Sequence, residues 1–285
     1  MMDTNKIIYA KDSFINPNQQ RIKYQYWLPA ETQLANLLLV HGIGEHCGRY
    51  KNVINYLLPL GIACYALDHQ GHGRSGGKRG HVPHFSDFAR DVEKLRVLTT
   101  PLYKDKPLYI LGHSMGGLIT LDYLLCYPQS PVAGIIFSSP AFALSVHVPS
   151  WKYKLGKLML KIAPSFTMSN GIKSDELSND KQVVDSYDRD ELVHGRISAA
   201  MFFTMLDVME NGQKQATSIT KPLILMVGEN DHIISKEGAL RLFSLFGAKD
   251  KTSYICADAK HELFNEINKE KSLEYLWQWL EPRIK

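Results

Sequence analysis

The chain has 285 residues, 45% of them hydrophobic and 22% charged, which excludes wholesale disorder, collagen-like repeats and a coiled coil. Lys plus Arg exceed Asp plus Glu by only 33 − 29 = 4, too small a basic excess to indicate nucleic acid as a partner. The longest uninterrupted apolar run, Ile62 to Leu67, is six residues, whereas a membrane-spanning helix needs roughly 20.

In chain order, Lys6–Phe14 and Arg21–Leu28 read as an opening hairpin turned at Asn16-Pro17-Asn18. Compact apolar runs follow at 35–40 (ANLLLV), 62–67 (IACYAL), 107–111 (PLYIL), 132–137 (VAGIIF), 222–227 (PLILMV) and 252–257 (TSYICA). Without polar alternation, they are expected as strands buried on both faces of a parallel sheet. Helical patterns separate several of them: Arg49–Leu58, Phe85–Leu98, Leu118–Tyr127, Lys236–Phe246 and Ser272–Leu280. This alternation predicts an α/β fold, a mostly parallel eight-stranded sheet with helices on both faces.

The alternation breaks between Phe137 and Pro222, a gap too long for a simple crossover. A helical insertion is expected at 141–217, with helices at Trp151–Ile162 and Ile197–Met209, on a core of 1–140 and 218–285. Its charge is divided: residues 123–174 hold five Lys and no acid, whereas 175–191 hold seven acids against Lys181 and Arg189. Two readings stand. Both stretches are solvated faces, or Trp151, Leu155, Leu158 and Ile162 form an apolar stripe flanked by Lys154, Lys157 and Lys161 that rests on an anionic membrane surface. The opening MMDTNKIIYAKDSF has no apolar core of signal-peptide length, and Cys47, Cys64, Cys126 and Cys256 form no CxxC. A reducing cytoplasm is therefore expected, with peripheral contact at the inner membrane surface on the second reading.

Gly112-His113-Ser114-Met115-Gly116 matches G-x-S-x-G. At ordinary Gly and Ser frequencies of roughly 7%, chance alone yields this in about one chain in ten of this length. Its setting is what carries weight, because it follows the PLYIL strand directly and opens a helical run, the strand–turn–helix context of a nucleophile elbow. Ser114 needs a base held by a carboxylate downstream. His261 lies just after the TSYICA strand, and Asp231 ends the PLILMV strand 30 residues before it, with Glu229 as the alternative acid. The oxyanion of an acyl-transfer intermediate needs preorganised donors. The Met115 N–H and, from the loop His41-Gly42-Ile43-Gly44, the Ile43 N–H are the candidates. His69, His72, His81 and His84 form two H-x-x-H spacings with no further ligand to complete a metal set. Neither metal nor organic cofactor is expected.

Together HGIGEHCGRY (41–50), LDHQGHGRSGG (67–77), GHSMGG (112–117), LSND (177–180), GENDHI (228–233) and HELFNE (261–266) resemble the monoacylglycerol lipase and lysophospholipase group of α/β-hydrolases along nearly the whole chain. The resemblance implies an α/β-hydrolase fold, Ser114, Asp231 and His261 as a triad, an oxyanion hole at Ile43 and Met115, and the insertion as a lid over an acyl pocket. It places Glu45, Arg49 and Tyr187 near the alcohol end of the substrate, unless they serve as polar contacts between loop and lid. Animal members carry a second histidine three residues after the catalytic one. Phe264 stands there in this chain, and HELFNE looks more like the bacterial lysophospholipase-type members.

The expected function is hydrolysis of single-chain lipid esters. An aminopeptidase using the same triad, with the acids at 175–191 receiving a substrate ammonium, and a non-catalytic binding protein on the same scaffold are the alternatives.

Overall fold

The structure, a computed structural model, describes residues 8–145 and 150–284; of the expected hairpin, Lys6 and Ile7 lie outside it. In chain order the elements are β1 (Ile8–Ile15), β2 (Arg21–Leu28), β3 (Ala35–Val40), α1 (Lys51–Leu57), β4 (Ile62–Leu67), α2 (Ser86–Thr99), β5 (Leu108–His113), α3 (Met115–Cys126) and β6 (Val132–Ser138). There follow α4 (Ser150–Ile162), β7 (Thr167–Ser169), α5 (Lys181–Asp188), β8 (Arg196–Ser198), α6 (Ala199–Lys214), β9 (Leu223–Gly228), α7 (Lys236–Leu245), β10 (Lys251–Cys256) and α8 (Lys269–Ile284).

The main sheet has eight strands in the order β1-β2-β4-β3-β5-β6-β9-β10. The first hairpin pairs antiparallel within itself and onto β4, and every other pairing is parallel. Because side chains alternate along a strand, each central strand feeds two cores. Leu38 and Val40 face a core completed by α2, α3 and α7, while Leu37 and Leu39 face one completed by α1 and α8. This is the α/β-hydrolase architecture with an inserted helical cap.

One expectation fails. The TSYICA strand is not buried on both faces: β10 runs intermediate or exposed along most of its length, and Ile255 is 45% exposed. With β9 on one side only, it is the sheet's edge. A strand's apolar run does not reveal whether a neighbour will cover it. Three expected helices also differ. The first shortens to a 3-10 turn at Cys47–Tyr50 followed by α1, α3 begins at Met115, directly after Ser114, and α8 starts at Lys269.

The cap contains more than its two expected helices. α4 packs on α6, with the Tyr153 and Phe203 rings 5.2 Å apart. β7 and β8 make a small antiparallel pair, and α5 forms over the acid-rich stretch. Side-chain caps start α5 (Asp180 accepting from the Gln182 N–H) and α6 (Ser198 accepting from the Met201 N–H), each worth about 1 kcal/mol.

Candidate active site

β5 lies at the centre of the sheet between β3 and β6, and its carboxyl end delivers Ser114. Ser114 sits at φ 53°, ψ −121°, a region that side chains rarely adopt and that marks a sharp strand-to-helix turn. Its backbone is held by Ser114 N–H donating to Ser138 O (3.0 Å) and by the Gly117 and Ala141 N–H groups donating to Ser114 O (both 2.9 Å). The two flanking glycines are required sterically. A Cβ at Gly112 would lie 2.5 Å from Gly116 O, and one at Gly116 would lie 2.0 Å from Val40 O.

The β9 and β10 ends supply the other two groups at the same sheet edge. Asp231 Oδ1 accepts from the N–H groups of Ile233 (2.9 Å) and Ile234 (3.1 Å), leaving Oδ2 for His261 Nδ1 at 2.7 Å. Burial by itself raises the Asp231 pKa, but the His261 charge and these donors hold the carboxyl below its usual range. For His261, burial pulls downward, and the charge of Asp231, its hydrogen bond, and the charges of Glu262 and Glu45 together raise the imidazole above its ordinary value. Glu229, the alternative acid, is exposed and accepts from the Asp258 N–H instead. Asp231, not Glu229, therefore meets the histidine. Ser114 and His261 line one small cavity of about 20 Å³ with Gly42, Ile43, Tyr187 and Glu262.

The loop after β3 is braced from behind. Burial lowers His41 to about 4, so its ring is neutral at physiological pH. It donates from Nδ1 to Gly42 O (2.8 Å) and accepts the His69 N–H on Nε2 (2.9 Å). The Gly42 N–H is engaged by Glu45 Oε1 at 2.6 Å. By contrast, the N–H groups of Ile43 and Met115 donate to no acceptor among the described residues. Both remain available to a developing oxyanion, and α3, which has no side-chain cap, adds its positive end.

Glu45, Arg49 and Tyr187 come together beside this cavity. Arg49 contacts Glu45 (3.3 Å) and stacks on Tyr187, 4.7 Å from the ring centre. Its main partner is Glu262, whose two carboxylate oxygens lie 2.7 and 2.5 Å from Nη2. Glu262 lies within HELFNE, and its only local signal in the sequence is an acid directly after His261. Arg49 also lines an open groove of about 830 Å³ on the outer surface with Lys51, Asn52, Gln182 and Asp190. The two H-x-x-H pairs go separate ways: His69 and His72 meet edge to face, 6.3 Å apart, in a buried ring cluster, and His81 bonds to Ser198 Oγ in the cap.

Residues 31–268 match the family of serine aminopeptidases, S33. The chain belongs to that family. Within it, the chain is 31% identical over 272 residues to the monoacylglycerol lipase of Mycolicibacterium smegmatis, covering 95% of this chain and 96% of that one. It is 32% identical to an abhydrolase domain-containing protein of Dictyostelium discoideum, spanning only 29% of that longer protein. A solved Paleococcus ferrophilus monoacylglycerol lipase superposes with a TM-score of 0.81 at 33% identity, covering 98% of this chain and 99% of that one. This S33-family chain is an enzyme of the serine-hydrolase fold, in the lipase and esterase class, related to the monoacylglycerol lipase and lysophospholipase members.

Proposed function

We propose that the enzyme cleaves single-chain lipid esters, monoacylglycerol or lysophospholipid, through an acyl-enzyme on Ser114. The observation that carries this reading is the 2.7 Å Asp231–His261 bond beside a serine held in a strained elbow. His261 Nε2 takes the Ser114 proton as Oγ attacks the ester carbonyl, and the Ile43 and Met115 N–H groups receive the oxyanion. Collapse breaks the bond to the alcohol, which leaves with the proton from His261; water then repeats the cycle on the acyl-enzyme. Glu45, Arg49 and Tyr187 contact the alcohol side in this reading, next to Phe264.

The aminopeptidase alternative needs an unpaired acid beside Ser114. The acids that line this region, Glu45 and Glu262, both engage Arg49. Those at 175–191 are directed elsewhere, for example Asp190 to His46 and Asp180 to the start of α5.

A cavity of about 20 Å³ cannot hold an acyl chain; ligand pockets run to about 300–1,000 Å³. Substrate entry therefore requires the cap to shift. On α4, Trp151, Leu155, Leu158 and Ile162 are 64%, 41%, 52% and 68% exposed, with exposed Lys154, Lys157 and Lys161 alongside. We propose that this face rests on an anionic lipid surface, from which a single-chain substrate would enter. Among the described residues no helix is long and apolar enough to cross a membrane.

Four assays test the reading. Ser114→Ala should lower kcat by about 10⁵- to 10⁶-fold, and a variant keeping a tenth of the activity overturns the assignment. Fluorophosphonate labelling that is absent from the wild type but present in a control hydrolase would favour a non-catalytic binder. Faster turnover of aminoacyl-arylamides than of acyl esters would favour the peptidase, and a panel of monoacylglycerols and lysophospholipids ranks the head groups.

A further inference from the structure

HELFNE contains a second buried acid that the chemistry above does not use. Glu266 is 2% exposed and pairs with no Lys or Arg among the described residues. Instead its carboxylate collects N–H donors: Lys260 N at 2.7 Å, Asn179 N at 3.1 Å, Asn179 Nδ2 at 3.2 Å and Ile267 N at 3.3 Å. Burying a carboxylate without a cation is costly unless hydrogen bonds compensate it, and here the compensation comes from these N–H groups.

The donors come from two different places. Asn179 belongs to the LSND turn at the rim of the cap, whereas Lys260 immediately precedes His261. On the other side of His261, the Glu262 N–H donates to Leu177 O of the same turn at 2.8 Å. The chain is thus tied to the cap rim on both sides of the histidine, directly at the His261–Glu262 peptide and through Glu266 at the Ala259–Lys260 peptide. The rim is fastened to the same loop at further points. Ser178 Oγ donates to Asn265 O (3.0 Å), Asn179 Nδ2 donates to Asp258 O (2.9 Å), and Lys260 Nζ donates to Asp175 O (2.7 Å).

We propose that Glu266 is a positioning residue that, together with the 177–180 turn, sets where the His261 ring lies relative to Asp231 and Ser114. The proposal rests on His261 acting as the general base. It makes the 177–180 rim of the cap part of the framework that holds the histidine. A displacement of the histidine by about 1 Å is enough to cost up to 10²-fold in rate.

The test uses the full chain with Glu266→Ala, Glu266→Gln and Asn179→Ala, assayed on a soluble short-chain ester, with active sites counted by fluorophosphonate titration. Expected for Glu266→Ala is a fall in kcat per titrated site of about 10- to 100-fold, with KM within about twofold. The acid limb of kcat/KM should move to lower pH as the imidazole loses its hold on Asp231. Glu266→Gln keeps one acceptor oxygen, so it should recover part of the loss. Asn179→Ala removes only one side-chain donor and should show a smaller fall in the same direction. If kcat per site and the acid limb both stay at wild-type values, even with a lowered melting temperature, Glu266 merely stabilises the loop and the proposal fails. Should Glu266→Ala not fold, Glu266→Gln and Asn179→Ala decide by the same two readouts. Loss of labelling and turnover in the wild type itself would overturn the proposed hydrolase instead, so the two failures are distinct.

Discussion

Asp231→Asn replaces one oxygen by an NH₂ group and leaves shape almost unchanged, so its effect isolates the role of the carboxylate. In the structure Oδ1 accepts from the Ile233 and Ile234 N–H groups and Oδ2 faces His261 Nδ1. An asparagine keeps its oxygen toward the two backbone donors, because turning it would set NH₂ against two N–H groups. The amide nitrogen then faces Nδ1 at 2.7 Å, and only an unprotonated Nδ1 can accept from it. The ring is thereby driven into the Nε2–H tautomer, which presents a proton where the Ser114 proton must go. The expected cost is about 10⁴ in kcat, or about 5.5 kcal/mol of transition-state stabilisation at 1.36 kcal/mol per decade. Burst and steady-state kinetics on a short-chain chromogenic ester at neutral pH measure it, with circular dichroism confirming an intact fold. A variant within tenfold of wild-type kcat would refute the argument, since tautomer control would then be irrelevant to turnover.

The raised pKa of His261 makes activity fall as pH drops through that value, because only the neutral imidazole accepts a proton. Glu262→Gln removes one of the charges that raise it, so the acid limb of kcat/KM should move to lower pH; an unmoved limb would contradict the electrostatic account. Gly116→Ala forces a Cβ to within 2.0 Å of the Val40 carbonyl oxygen and should cost about 3 kcal/mol of stability in urea denaturation. Replacing Lys154, Lys157 and Lys161 together by Gln should weaken binding to anionic vesicles by roughly 100-fold at low salt, at about 1 kcal/mol per lysine, without changing turnover of a soluble ester. Binding that ignores these charges would remove the proposed membrane contact.

Much of the scaffold was readable from local chemistry. Runs such as ANLLLV and PLILMV carry no polar alternation, and they became strands packed on both faces, as that pattern demands. The elbow at Ser114 was readable because steric exclusion at Gly112 and Gly116 leaves a trace in residue type. The contact of Asp231 with His261 was readable because Asp231 follows a strand that ends at the edge where β5 also ends. Other features left no local trace. The LSND turn and HELFNE were visible as motifs, but their pairing through Glu266 joins residues 87 positions apart. Likewise Arg49 meets Glu262 across 213 positions, and nothing near either residue announces the other.

The division follows from range. Backbone preference, apolar periodicity and the steric demands of a tight turn act over a few neighbours, so they are written into adjacent residues and determined the strands, most helices and the sharp turn at Ser114. Strand order, which strand lies at the edge, and which part of the cap grips the histidine loop depend on the folded chain bringing distant groups together. TSYICA illustrates the limit: its composition matched a covered strand, but its place at the end of the sheet, with β9 on one side only, left most of it open to solvent.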